Sequence, residues 1–277
     1  MPDLWLDQHP LDSPLWKIRW AKNHVEVIDR AIRLWHALDE NNVAANLNAD
    51  QTLWEYRVGA VRPPPLDISL EAGGFAYQLR SALDQIVYGL SVFPNGLSDR
   101  DRESAEGSTA FPILRAANDD AIWGRLRFVP EEIRGRVWEA INQVQPYQAG
   151  DLYRDELMLL DRINIRDKHR LLEPAGGNLD ILDVPLKPGM WIAHGHLKNG
   201  DVFFRVPADL DPEVELHNHF SRSISLRIPG PVGDIPIWRL RDIYRRVAFE
   251  VLPLFYPLCN PLPKGQRIPD SIPDFVI

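Results

Sequence analysis

Residues 153–177 read YRDELMLLDRINIRDKHRLLEPAGG, and this run separates two textures of the chain. From Tyr153 to Leu172 the pattern is helical: Leu157, Leu160 and Leu171 fall on one side of a wheel drawn at about 100° per residue. Pro174 and Gly176-Gly177 predict its end. Before the run lie long amphipathic segments. After it, residues 178–229 hold short strand candidates divided by turn residues. The two textures together predict an α+β fold: a bundle of four to five helices packed with a small antiparallel β-sheet.

Upstream, Ser13-Pro14 is a helix start, and Ile18, Ala21, Val25, Ile28, Ile32 and Trp35 recur at spacings of three and four. Asp29 and Arg33 stand four apart, placed to pair on the outer side, and Asn41-Asn42 predicts the end of that helix. Trp54, Tyr56, Val58 and Ala60 alternate with polar residues or glycine, which predicts a strand over 52–61 that joins the later sheet. A second helix follows over 67–92, with Ala72, Ala76, Leu79, Leu83, Ile86 and Leu90 as its stripe. Residues 94–120 read as a long surface loop whose apolar end, Phe111-Pro112-Ile113-Leu114, docks onto the body. Pro130-Glu131-Glu132 opens a third helix that Pro146 ends, and the run at 153–177 holds the fourth.

Downstream, residues 190–197 and 201–206 flank Asn199-Gly200, a hairpin signal, and 214–220 with 223–228 form a second predicted pair. A last helix is expected over 237–252 and an extended proline-rich tail over 253–277. The expectation is one domain over 1–277, with the bundle in 13–174 and the sheet section in 178–229 sharing its core.

The 277 residues are 45% hydrophobic and 25% charged, the balance of a folded chain. The net charge of −8 opposes diffuse attraction to nucleic acid or anionic membrane, leaving local basic clusters as the places where an anion would bind. Such clusters stand at Arg125, Arg127, Arg134 and Arg136, and at Arg239, Arg241, Arg245 and Arg246, interrupted by Glu131, Glu132 and Asp242. Cys259 has no partner cysteine, no apolar run nears the ~20 residues that span a bilayer, and the start, Met1 to Asp7, lacks a leader pattern. A cytoplasmic protein without membrane attachment is expected. No phosphate loop and no nucleophile elbow are present, and no cofactor is implied.

The chemistry-bearing residues concentrate in the fourth helix. Arg162, Arg166 and His169 share one face, a cationic cluster with one imidazole. Guanidinium groups hold phosphate in a bidentate fork, and an imidazole moves protons near neutral pH. Asp161, Asn164 and Lys168 fall on the apolar face, where polar groups need partners. Arg80 and Asp84, an i,i+4 pair on the second helix, either close on each other or reach across: Arg80 to Asp161 or Asp167, Asp84 to Lys168 or His169. The competing account of all these groups is a solvated helix with a structural ion network. His194 with His196, and His217 with His219, put two imidazole pairs on strand faces. Converging, they would bind zinc, nickel or copper; apart, they face solvent.

Leu79-Arg80-Ser81-Ala82-Leu83-Asp84, Phe111-Pro112-Ile113, Gln145-Pro146-Tyr147 and Asp167-Lys168-His169-Arg170 occur in that order. The set resembles a broad family of uncharacterised bacterial proteins with an LRSALDHLVY…FPI…QPY…DKHR pattern, over roughly Ala72 to Leu172. Gly74, Tyr77, Gln78 and Gln85 stand where that pattern often carries Asp, His, Asn and His, so any site those groups form is altered here. A more distant resemblance is to HEPN domains, helical bundles that include metal-independent ribonucleases with an Arg-x(4–6)-His motif, usually dimeric. Arg162 and His169 match that spacing, with Ile163 where a polar residue is common. This resemblance implies RNA as the partner, His169 as general acid or base, Arg162 stabilising the phosphorane, and Arg166 positioning the phosphate. Asn164, Asp167 and Lys168 would surround them, and a homodimer would bring two such helices together. The alternatives are a non-catalytic scaffold for a protein partner or small ligand, and a metal-binding protein using the sheet histidines.

Overall fold

A computed structural model describes residues 9–38, 43–59, 63–93, 97–181, 187–193, 200–210, 220–230 and 233–259. Helices α1 (Asp12–Leu38) and α2 (Asp67–Val92) form an antiparallel pair. Ser13 donates to Gln85 at 2.7 Å near one end, and His24 bonds Glu71 at 2.6 Å near the other. Glycines let the helices close. A Cβ at Gly89 would stand 2.2 Å from the Pro10 carbonyl oxygen, and one at Gly74 would meet the His24 ring. The predicted stripes of both helices are buried. Asp29 departs from the expectation: it lies buried on the core side of α1, with Arg33 2.5 Å away.

The stretch expected to be a loop contains α3 (Asp99–Glu106) and the start of α4 (Asp119–Arg125). Each has a side-chain N-cap: Ser98 accepts from the Asp101 N–H and Asn118 from the Ala121 N–H. Next come α5 (Glu131–Gln143), a 3-10 turn at Pro146–Gln148 and α6 (Glu156–His169). The last helix, α7 (Arg239–Arg245), widens into a π segment to Val251 and tightens into a 3-10 segment over Leu252–Leu258. The first part of the expected extended tail is therefore helical, held by buried Leu252 and Phe255; residues 260–277 lie outside the described residues.

Among the described residues, seven strands form two sheets rather than one. The first has the order β1 (Val43–Leu47), β2 (Leu53–Val58), β5 (Val202–Pro207), β4 (Trp191–Ile192). The early strand joins the later ones as predicted, with Tyr56 opposite Phe204, while β1 was not foreseen. The second sheet has the order β3 (Glu173–Ile181), β6 (Phe220–Arg227), β7 (Ile235–Pro236). Here Pro174 and Gly176-Gly177 stand inside a strand, at a register shift between Gly176 and Asn178; a strand glycine commonly marks such a bulge. The 223–228 stretch pairs with β3 and β7, and residues 214–219 of its expected partner, 214–220, lie outside the described residues.

Ile224, Leu226, Ile228 and Ile235 join the core of the helices. The first sheet encloses a separate small core of Tyr56, Val58, Phe203, Phe204 and Val206, so among the described residues the second sheet, and not the first, shares the helical interior. No helix among the described residues is long and apolar enough to cross a membrane.

Gly89→Ala is expected to lose about 1–3 kcal/mol in urea unfolding, because a methyl cannot enter the Pro10 contact. Gly135→Ala, with nothing within 4 Å, should instead gain about 0.5–1 kcal/mol from helix propensity. Equal effects would refute the close approach as the reason for glycine at 89.

Candidate functional site

Helix α6 begins at Asp155, whose carboxylate accepts from the Leu157 and Met158 N–H groups at 2.9 and 3.1 Å. Arg239 of α7 fastens the same end through Glu156 at 2.9 Å. Leu157, Leu160, Ile163 and Asn164 are buried. The helix stops at His169, four residues before β3. Leu171 is consequently outside it and exposed rather than on its apolar face, and Lys168 is also exposed. The last turn carries Arg166, Lys168 and His169, basic residues at the negative end of the helix dipole.

Against α2, α6 runs antiparallel: Asp161 lies in the field of Arg80, and Asp167 packs onto Gly73, where a Cβ would stand 2.3 Å from its Cγ. Arg80 pairs with Asp84 on its own helix at 3.0 Å. Together the two grip both backbone polar groups of Phe111 in the docked segment. The Phe111 N–H donates to Asp84 Oδ1 at 2.9 Å, and Arg80 Nη2 donates to the Phe111 carbonyl at 2.7 Å. Gln145 completes the hold: its Nε2 donates to the Pro112 carbonyl at 2.9 Å and its Oε1 accepts from the Leu114 N–H at 2.9 Å. Three pieces of the ordered motif thus meet at one strap, 111–114. The fourth reaches the same place electrostatically, since Lys168 acts on Asp84 and Asp161.

Burial raises the Asp161 carboxyl above its ordinary range, against the pull of Arg80, Arg162, Arg115 and Lys168. Asp84 is raised by burial too, opposed by Arg80, the Phe111 N–H, Lys168 and Arg125. Burial alone raises Asp167. Arg80 therefore serves Asp84 and the field of Asp161, not Asp167. Arg115 and Arg125 are members of this cationic surround that the sequence reading did not single out for it. Arg115 directly follows the docked segment, which was the available signal.

Arg162 and Arg166 are half-buried, and the Nε of each is buried without a hydrogen-bond partner. His169 is exposed. No ion pair joins Arg162, Arg166, Lys168 or His169 to a carboxylate among the described residues. Arg33, Arg57, Arg80, Arg205, Arg239 and Arg246, by contrast, each pair with an acid.

His194, His196, His217 and His219 lie outside the described residues, and among those described no three metal-ligating side chains group together. Burial pushes the Cys259 thiol up to about 11, which keeps it protonated and weakly nucleophilic. The Arg134 guanidinium of the α5 cluster is taken up by the Val129 carbonyl. No protein-family model, curated protein or solved structure matches this chain.

Two outcomes follow. Gln145→Ala leaves a carbonyl and an N–H of the strap unpaired and should cost about 2–3 kcal/mol in urea unfolding. Asp161 takes up its proton more readily folded than unfolded. Its contribution to stability is full below the ordinary carboxyl value of 3.8 and is lost as pH rises through its raised value. Asp161→Asn should therefore raise the Tm at neutral pH, by roughly 2 °C, with the advantage vanishing in acid. A melting series from pH 3 to 7 that shows a pH-independent difference would refute this.

Proposed function

We propose that the chain binds RNA on the cationic face of α6 and cleaves it without a metal ion. The observation that carries this reading is the contrast among half-buried arginines: Arg80, Arg205, Arg239 and Arg246 pair with acids and Arg134 with the Val129 carbonyl, whereas Arg162 and Arg166 bring their guanidinium groups to one side of α6 with no acid partner among the described residues. A phosphodiester would supply the missing acceptors in the fork geometry that guanidinium favours.

In this reading His169 takes the proton from a ribose 2′-hydroxyl. The 2′-oxygen forms a bond to phosphorus, the bond to the 5′-oxygen breaks, and that oxygen takes a proton from solvent water as it leaves. The products are a 2′,3′-cyclic phosphate and a 5′-hydroxyl. Arg162 neutralises the charge that builds on the phosphorane, and Arg166 positions the phosphate. Arg80 and Asp84 hold the strap, and Asp161 and Lys168 shape the field beside the cations. This is the HEPN-like reading of the Arg162–His169 spacing.

A second reading, a non-catalytic interaction scaffold, draws support from Arg80 and Asp84, whose polar atoms serve the Phe111 backbone. The two readings separate on a labelled RNA pool in the presence of a chelator. Wild-type protein should cleave it and leave DNA of the same sequence intact. His169→Ala and Arg162→Ala should each lose about 10²–10⁴-fold in rate with unchanged circular dichroism. Absence of cleavage, together with RNA affinity unaffected by Arg162→Ala and Arg166→Ala, would reject the nuclease and leave the scaffold.

A further inference from the structure

The side of α1 turned away from the core is not polar. Trp16 is 51% exposed, Trp20 57%, Val27 39% and Leu34 62%. With exposed Asn23 and Arg30 between them, these residues recur at alternating spacings of four and three, the seam of a helix that packs against another helix. Leu66, just before α2, with Leu70 and Tyr77 of α2, each more than half exposed, extends the patch: Glu71 is bonded to His24 of α1, and Lys17 lies 5.4 Å from the centre of the Tyr77 ring. Isolated exposed apolar residues are ordinary on a protein surface; seven along one antiparallel helix pair mark an interface.

We infer that this face is where a second copy of the chain docks, with the two α1 helices antiparallel about a two-fold axis between Asn23 and Val27. That register sets Trp16 against the other copy's Leu34, Trp20 against its Arg30, and Asn23 against its Val27. Each indole then meets an aliphatic chain or a guanidinium, and the Arg30–Trp20 layer is a cation–π contact made twice. The parallel arrangement would instead oppose Arg30 to Arg30, like charges face to face.

The size is adequate. A helix of 27 residues is about 40 Å long and about 10 Å across, so the two α1 faces cover roughly 400 Å² on each partner. The α2 residues bring this toward the about 800 Å² per partner of stable interfaces.

The test is sedimentation velocity on the full chain at micromolar concentration. The expected species has twice the 31.7 kDa chain mass. Trp20→Glu and Leu34→Glu, both at exposed positions, should each weaken the dimer roughly 30-fold or more with unchanged circular dichroism. A mixture of Trp16→Cys and Leu34→Cys chains should cross-link on oxidation far more than either chain alone. A wild-type monomer, a dimer indifferent to Trp20→Glu, or cross-linking dominated by Leu34→Cys with itself would overturn the inference. A monomer that floats with phosphatidylserine vesicles would also overturn it, reassigning the face to a lipid surface.

Discussion

The peptide groups of residues 111–114 are carried into the body without a sheet ladder to receive them. Buried N–H and C=O groups left unpaired are costly, so this strap forms only if side chains supply partners. Arg80, Asp84 and Gln145 do so, gripping Phe111 from α2 and Pro112 and Leu114 from the end of α5. Phe111 can then sit in the core, edge-on to Phe255 at 6.4 Å. The strap thereby joins α2, α5 and the last helical segment, elements far apart in the chain.

The same constraint organises the candidate site. Once Arg80 and Asp84 are engaged with the strap, their charges are set beside α6, and Asp161 lies among Arg80, Arg115, Arg162 and Lys168. Gly73 lets α6 approach α2 closely enough to bring Asp167 onto it. Arg162 and Arg166 of the same helix are half-buried, and the Nε of each is without a hydrogen-bond partner. The paired cation, Arg80, thus belongs to α2, while the basic residues of α6 form no ion pair among the described residues.

Much of the helical part was legible. The stripes of α1 and α2 are the buried ones, and the four motif pieces, which are far apart in sequence, converge on one place. Other features were hidden by local ambiguity. Pro174 and Gly176-Gly177 read as a helix stop, yet they form a bulged strand because β6 is alongside to pair with them. Ser98 and Asn118 start helices in what reads as loop, because a capping side chain stabilises a short helix that has little apolar periodicity. Asp29 and Arg33 have the spacing of a surface pair, but spacing does not say which side of the helix the neighbours bury.

By itself the sequence determined the class of fold, the buried stripes and the helix that carries Arg162, Arg166 and His169, because helical periodicity and helix-start signals are local properties. Only the tertiary structure decided that the strands divide into two sheets with separate apolar surroundings. It alone gave Arg80, Asp84 and Gln145 to a strap's backbone, left the α6 arginines unpaired, and exposed a row of tryptophan, valine and leucine on α1. Each of these depends on which distant segment comes within hydrogen-bonding or van der Waals reach, and local spacing carries no record of that.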